Sequence, residues 1–328
     1  LRVLTVEPGP NFSVADVHRG WSKALRQAGC QVVDAKFDNR LEFYEKAAKA
    51  TGQTTDDALA LACESLRATA YDFWPDLVLI VSAFYVNDFT LDVFRDRGIT
   101  IVLLHTESPY EDDRQVERAQ HVDLNVLNDP TNIDRYPPGT IYLPHAYDPD
   151  VHHPGPDGEP SDFCFVGTGY PSRVRFFEQV DWTGIDALLA GNWQWAKEDS
   201  PLMPLVAHDL AECLPNEEAA RLYRGAKSSA NLYRRESQRP ELEAGWAMGP
   251  REVELAACGC FYLTEARGEN REVLPMVPTF FDPEDFSEKL RWHLEHPEVR
   301  EKIADEARAA VADRTFLSNV KRLLERVA

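Results

Sequence analysis

The stretch Gly249-Pro250-Arg251-Glu252-Val253-Glu254-Leu255-Ala256-Ala257-Cys258-Gly259 runs directly into Cys260-Phe261-Tyr262-Leu263-Thr264. It reads as a helix that starts on Gly-Pro, stops at a glycine and feeds a short apolar strand. Proline in the first helical turn loses no hydrogen bond, because that amide has no intrahelical partner, and glycine just past the end tolerates a left-handed cap. The open end of such a helix presents free amides and a partial positive charge, which suits a phosphate. Arg251 and Glu254 lie three residues apart and share a face. Together they have the means to hold a diphosphate and a ribose, the carboxylate accepting from both hydroxyls of a vicinal diol as acidic residues do in dinucleotide folds. An ordinary amphipathic helix with solvated charges and a buried Leu255-Ala256-Ala257 face has the same pattern, so the surroundings decide.

Outward from this unit, strand-like and helix-like segments alternate. Arg2–Val6 reads as a strand, Asp16–Ala28 as an amphipathic helix and Gln31–Ala35 as a strand; Leu41 to Ala70 is helical with a break around Gly52–Thr55. Leu77-Val78-Leu79-Ile80-Val81 is a continuous apolar run of the kind a parallel strand buried on both faces shows. Asn87–Arg97 reads as a helix, and Ile99–Leu104, Val122–Leu127 and Thr140–Leu143 as strands. A Pro/Gly/His-rich stretch from Pro144 to Gly158 marks a boundary. The pattern then restarts: Phe163 to Gly167 reads as a strand running into a turn, with further strands at Ile185–Ala190, Ser229–Tyr233 and Pro278–Phe281, helices at Ser172–Gln179 and Glu217–Gly225, and two or three helices after Phe281. The expectation is α/β: two Rossmann-like doubly wound domains, 1–150 and 151–328, facing across a cleft, with the last helix, Thr315 to Ala328, packing back on the first.

The chain has 328 residues and a formal net charge of -20. That field repels phosphate backbones and anionic lipid, so general nucleic-acid binding and membrane insertion are not expected. No run approaches the roughly 20 apolar residues that span a bilayer. Leu1–Val6 has the pattern of a first strand and not of a signal peptide, and Cys30, Cys63, Cys164, Cys213, Cys258 and Cys260 lack zinc-finger or Cys-x-x-Cys spacing. Buried free thiols in a reducing cytoplasm are the expectation.

Several segments, in order, resemble one family. Phe165-Val166-Gly167-Thr168-Gly169-Tyr170 with Arg173, Gly191-Asn192-Trp193, Leu222-Tyr223 through Ala230-Asn231-Leu232, Arg251 to Gly259, Gly268-Glu269 to Leu274, Phe281-Asp282 and Glu295-His296-Pro297 are similar to the CgeB-like (spore-maturation-type) glycosyltransferases of the GT-B superfamily. The linker Tyr142-Leu143-Pro144-His145-Ala146-Tyr147-Asp148 resembles the same family's exit from its first domain. The resemblance implies a nucleotide-sugar donor in the C-terminal half, with Glu254 on the ribose, Gly249, Pro250 and Arg251 flanking the diphosphate, and the loop Gly167–Arg173 closing over it. Related retaining enzymes carry a Glu-x7-Glu pair; its first position is Trp246 here, a departure that leaves the stereochemistry and the grip on the sugar open.

Glycosyl transfer builds negative charge on the departing diphosphate. Without a metal, cations and helix amides take that charge. Arg173 follows a Gly-x-Gly loop at the end of a buried strand and is the first choice, Arg251 the second; a solvated charge at a helix start is the alternative for Arg173. No Asp-x-Asp stands at a strand end, so neither a metal nor a bound cofactor is expected. By the same resemblance Gly167 and Thr168 belong to the loop expected to close over the diphosphate, and Trp193 is a candidate to stack on the base or a core residue. His105 and Glu107 follow the strand Ile99–Leu104 and are candidates for proton transfer or for contacting the donor sugar, the alternatives being a capped strand end and a first-turn acid. The loop Glu7 to Ser13 lacks a glycine fingerprint and is expected to shape acceptor entry. The function expected is metal-independent transfer from a nucleoside-diphosphate sugar to an unidentified acceptor. A nucleotide-sugar-binding protein without turnover and a Rossmann oxidoreductase are the alternatives.

Overall fold

Strand residues buried on both faces require helices on both sides of a parallel sheet, and the computed structural model has that arrangement twice. It describes residues 1–9, 14–207, 213–237 and 239–327. Two units divide the chain: Leu1–Pro144 with Phe316–Ala328, and His145–Thr315.

In the first unit six parallel strands, β1 (Arg2–Val6), β2 (Gln31–Ala35), β3 (Leu77–Val81), β4 (Thr100–His105), β5 (Leu124–Leu127) and β6 (Ile141–Tyr142), run in the order β2-β1-β3-β4-β5-β6. The helices are α1 (Ala15–Gln27), α2 (Phe37–Thr51), α3 (Thr55–Phe73), α4 (Asp88–Asp96) and α5 (Asp112–Ala119). Alternate strand residues enter opposite cores. Val78, Ile80, Ile101 and Leu103 meet α2, α3 and α4, whereas Leu77, Leu79, Val102 and Leu104 share a core with Trp21 and Leu25 of α1. The break between α2 and α3 is made by Gly52, in the left-handed region, and by Thr54, whose hydroxyl and Asp57 carboxylate cap each other's amides.

The second unit holds β7 (Phe163–Val166), β8 (Ala187–Ala190), β9 (Ser229–Asn231), β10 (Tyr262–Glu265) and β11 (Thr279–Phe280), all parallel, in the order β11-β10-β9-β7-β8. Its helices are α6 (Pro171–Phe177), α7 (Asn216–Gly225), α8 (Pro250–Cys258), α9 (Gly268–Val273), α10 (Pro283–Glu295) and α11 (Pro297–Ala310). Phe163 and Phe165 face one core with Phe177 of α6 and Phe286 and Leu290 of α10. Cys164 and Val166 face the other, with α7, α8 and Ala307 of α11. The final helix, α12 (Phe316–Val327), packs on α1 within the first unit, and Asn319 there donates to the carbonyl of Pro144 at 2.8 Å.

In each sheet the chain winds one way from its first strand and then the other. The reversal falls between β1 and β3 in the first unit and between β7 and β9 in the second. Open α/β sheets bind ligands outside the carboxyl ends of strands at such a reversal.

Candidate functional site

Gly249 caps α8 in an extended conformation, and Glu252 folds back so that its Oε2 accepts from the Gly249 amide at 2.8 Å. This orients Arg251 across the sheet reversal. Its Nε donates to the carbonyl of Val166, at the end of β7, at 2.8 Å, and its Nη1 to Asn231 Oδ1, at the end of β9, at 3.3 Å. The guanidinium lies 4.6 Å from the centre of the Phe165 ring. Gly167 turns the chain at φ +152, and a Cβ there would sit 2.1 Å from Arg251 Nη2. Only glycine admits both the conformation and the neighbour.

Arg173, on α6, is buried. Its Nη1 donates to the Thr168 carbonyl at 2.9 Å and its Nη2 to the Leu232 carbonyl at 2.5 Å, and the guanidinium lies 5.6 Å from the same Phe165 ring. It therefore staples the loop after β7 to the segment after β9. Gly167, Thr168, Arg173, Gly249, Pro250 and Arg251 come together around one reversal point. Glu254 lies half-buried one turn along α8. Burial, with the Glu254 charge adding to it, pushes the Tyr223 hydroxyl up and the Cys258 thiol to about 12. Among the described residues the Glu254 carboxylate has no hydrogen-bond partner, so its acceptor capacity is unspent.

Trp193 is fully buried: its Nε1 donates to the Ala190 carbonyl at 3.1 Å and its ring packs on Phe165 and Phe177. Of the two readings of this tryptophan, stacking on a base gives way to a core position, because no ring face is left. His105 ends β4 buried, with Nε2 2.8 Å from Asn125 Oδ1. Asn125 gives its amide hydrogens to the Ala119 carbonyl, so its Oδ1 accepts and His105 carries its proton on Nε2. Burial lowers the His105 pKa to about 4, which keeps the ring neutral, and its edge meets Tyr136. An exposed proton-transfer role at the strand end does not fit that packing. Glu107 is half-buried, and its amide donates to Gln115 Oε1 at 3.1 Å. Of the first loop, residues 10–13 lie outside the described residues.

Glu252 went unread as a functional residue in the sequence. It is completely buried, and it accepts from Tyr233 Oη, from the Gly249 amide, from Thr264 Oγ1 at 3.0 Å and from Asn270 Nδ2 at 3.2 Å. Burial raises its pKa against the pull of these donors. The one signal in the chain was the Gly-Pro-Arg-Glu spacing, which puts a carboxylate at the third helical position where it can reach back to the cap.

Beside Arg173 lies a cavity of about 180 Å³ over the carboxyl ends of β9, β10 and β11. Tyr233, Arg235, Glu265 and Phe281 form its walls.

Residues 173–325 match the model of a family described as glycosyl transferase-like. No curated protein matches the chain by sequence. Among solved structures, sucrose-phosphate synthase from Thermosynechococcus elongatus superposes with a TM-score of 0.66 at 13% identity, over 99% of this chain and 98% of that one. Anabaena HepE in complex with UDP-glucose gives 0.66 at 12% identity, covering 99% of each chain. An alpha-glucosyltransferase in complex with UDP gives 0.68 at 11% identity, over 100% of this chain and 99% of that one. These likenesses show the fold: two parallel-sheet α/β domains of the GT-B type.

Proposed function

We propose that the chain is a glycosyltransferase, of the CgeB-like type, that moves a sugar from a nucleoside-diphosphate donor held by its second unit. The observation that carries this reading is the convergence of Arg251 and Arg173 on one Phe165 ring at the reversal between β7 and β9. Two guanidinium groups packed against an aromatic face are fixed before a ligand arrives, so little entropy is lost in meeting a diphosphate. The same groups stabilise charge on the departing diphosphate, which is the step in which binding becomes rate. In this reading no metal is required. Glu254, with its acceptors unspent, takes the ribose diol. The UDP and UDP-glucose complexes of structures with this fold support a nucleotide-sugar partner.

The acceptor side belongs to the first unit in this reading. His105, neutral and buried, orders the end of β4 there, and Glu107 is the nearer candidate to meet an acceptor hydroxyl. No described helix is long and apolar enough to cross a membrane, and the free cysteines fit a reducing cytoplasm. The test is a thermal-shift series with UDP, GDP, dTDP and CDP, followed by slow hydrolysis of the matching nucleotide sugars. A ligand that binds only the folded chain raises stability by about 2.7 kcal/mol at one hundred times its dissociation constant. No shift with any nucleotide removes the reading; binding without hydrolysis or transfer reduces it to a binding protein.

A further inference from the structure

Glu269 is a buried carboxylate that the crevice chemistry above does not use. It stands second in α9, 2% exposed, and its two oxygens serve different parts of the chain. Oε2 accepts from the Met248 amide at 2.7 Å, and Oε1 lies 2.8 Å from Arg314 Nη1. The Nη1 hydrogens are not aligned on that oxygen, so the second contact is one of charge.

The start of α9 holds all three residues that lead into Gly249. The Glu269 amide donates to the Trp246 carbonyl at 2.9 Å, and Arg267 Nη1 donates to the Ala247 carbonyl at 3.0 Å. A Cβ on Gly268 would stand 2.1 Å from Trp246 Cδ1, so the two segments lie in direct contact. Asn270 reaches past them to Glu252 Oε1 at 3.2 Å, the carboxylate that folds back on the Gly249 amide. Met248 is itself buried, and without Glu269 its amide would be left with no acceptor. The entry to α8, and with it the direction in which Arg251 leaves the helix, is therefore set by α9.

A carboxylate this deeply buried keeps its charge and its orientation only beside a counter-charge. Arg314 supplies it from the last residues of the second unit, which ends at Thr315. The Arg314 carbonyl accepts from the Tyr147 amide at 3.0 Å, next to the parallel bridge between Tyr147 and Thr315. The segment that enters this unit and the segment that leaves it are thus joined at Arg314, and its side chain carries the connection on to Glu269 and Met248.

We propose that Arg314 is a positioning residue for the nucleotide crevice, acting through Glu269 on the Met248–Gly249 entry to α8. Its effect on nucleotide binding rests on the transferase reading; its hold on the Met248 amide does not. A pair that served stability alone would be replaceable by any pair of neutral side chains that restored stability. A positioning pair would not.

Two variants of the full chain separate these roles. Arg314→Met strands a buried carboxylate and is expected to be less stable than the wild type. Glu269→Gln combined with Arg314→Met removes both charges and is expected to recover most of that loss, as neutral replacements of buried pairs do. The glutamine offers Met248 one oxygen, but no charge fixes which way its amide points. In the double variant the Met248 amide is therefore expected to exchange with solvent about ten-fold faster than in the wild type, while β7 amides keep their wild-type rates. Calorimetry with UDP, or with whichever of GDP, dTDP and CDP binds the wild type, is expected to show affinity about ten-fold weaker, in the range of one oriented hydrogen bond to a charged group. Wild-type exchange at Met248, or wild-type nucleotide affinity, in the double variant overturns the proposal. If none of the four nucleotides binds the wild type, the transferase reading falls, and exchange at Met248 alone decides whether Arg314 positions this segment.

Discussion

Arg251 donates its Nε hydrogen to the main-chain carbonyl of Val166 at 2.8 Å, joining the first turn of α8 to the end of a strand 85 residues earlier. The bond uses one edge of the guanidinium and fixes its plane, leaving the remaining hydrogens to Asn231 and to the open end of the sheet. Gly167 makes that placement sterically feasible. Gly167→Ala is accordingly expected to displace Arg251 and to weaken nucleotide binding, with a stability loss of about 1–3 kcal/mol from the strained backbone. Calorimetric titration with UDP and a denaturant midpoint check both halves; an unchanged affinity would sink the role given to Arg251.

Arg251→Lys separates charge from geometry. Lysine keeps the cation but not the planar fork that reaches Val166 and Asn231 together. We expect transfer to fall by about ten-fold to a hundred-fold, in the range of losing one to two oriented hydrogen bonds to a charged group. The measurement is kcat/KM with the best nucleotide sugar. A lysine variant as active as the wild type would show that charge alone suffices.

Truncating Glu252 leaves Tyr233 Oη, Thr264 Oγ1, Asn270 Nδ2 and the Gly249 amide without their shared acceptor. Glu252→Ala is expected to cost about 3–5 kcal/mol, as for other broken buried charged networks. Glu252→Gln, which keeps the shape and one acceptor oxygen, should lose clearly less. Thermal unfolding of the two variants gives the ordering, and equal losses would mean that the carboxylate's second oxygen carries the whole effect.

The βα alternation was legible because buried parallel strands have no polar face to break the signal. Arg2–Val6, Gln31–Ala35 and Leu77–Val81 were read to the residue, while other element ends moved by one to four positions, as at α2, which starts at Phe37 ahead of Leu41. Gly167, Arg173 and Arg251 were singled out as candidates to meet a phosphate from local pattern and the family resemblance together. Their mutual contact was not, since Val166 and Asn231 are brought to Arg251 only by the parallel order of β7 and β9. Glu252 was missed for a related reason: an acid in a first helical turn looks solvated until the segments that bury it, Tyr233, Thr264 and Asn270, are in place. Trp193 shows the reverse ambiguity, because an aromatic residue just after a strand has the same sequence signature whether it turns toward a ligand or toward the core.

Trp193→Ala follows from that last point. With its ring buried against Phe165 and Phe177, truncation is expected to cost about 3–5 kcal/mol of stability. The folded fraction should still bind nucleotide with wild-type affinity. A denaturant curve and a titration at low temperature test the two parts, and a loss of affinity without a loss of stability would return the indole to the ligand.

Asp38 gives the chain a pH signature. Burial pushes its carboxyl up to about 7, the nearby Glu7 adds to this, and the Gly9 amide, 2.5 Å from Oδ1, opposes it. A carboxyl whose folded pKa exceeds its unfolded value contributes stability that is complete below the unfolded value, near 3.8, and lost as pH rises through about 7. Because the group is half-buried, solvent screens much of the effect, and the slope matters more than its size. Asp38→Asn keeps the acceptor for Gly9 and removes the charge, so the variant should be stabilised relative to the wild type at about pH 8 and show little difference at about pH 4. Thermal midpoints of both proteins across that interval provide the test, and parallel curves would place the titration elsewhere.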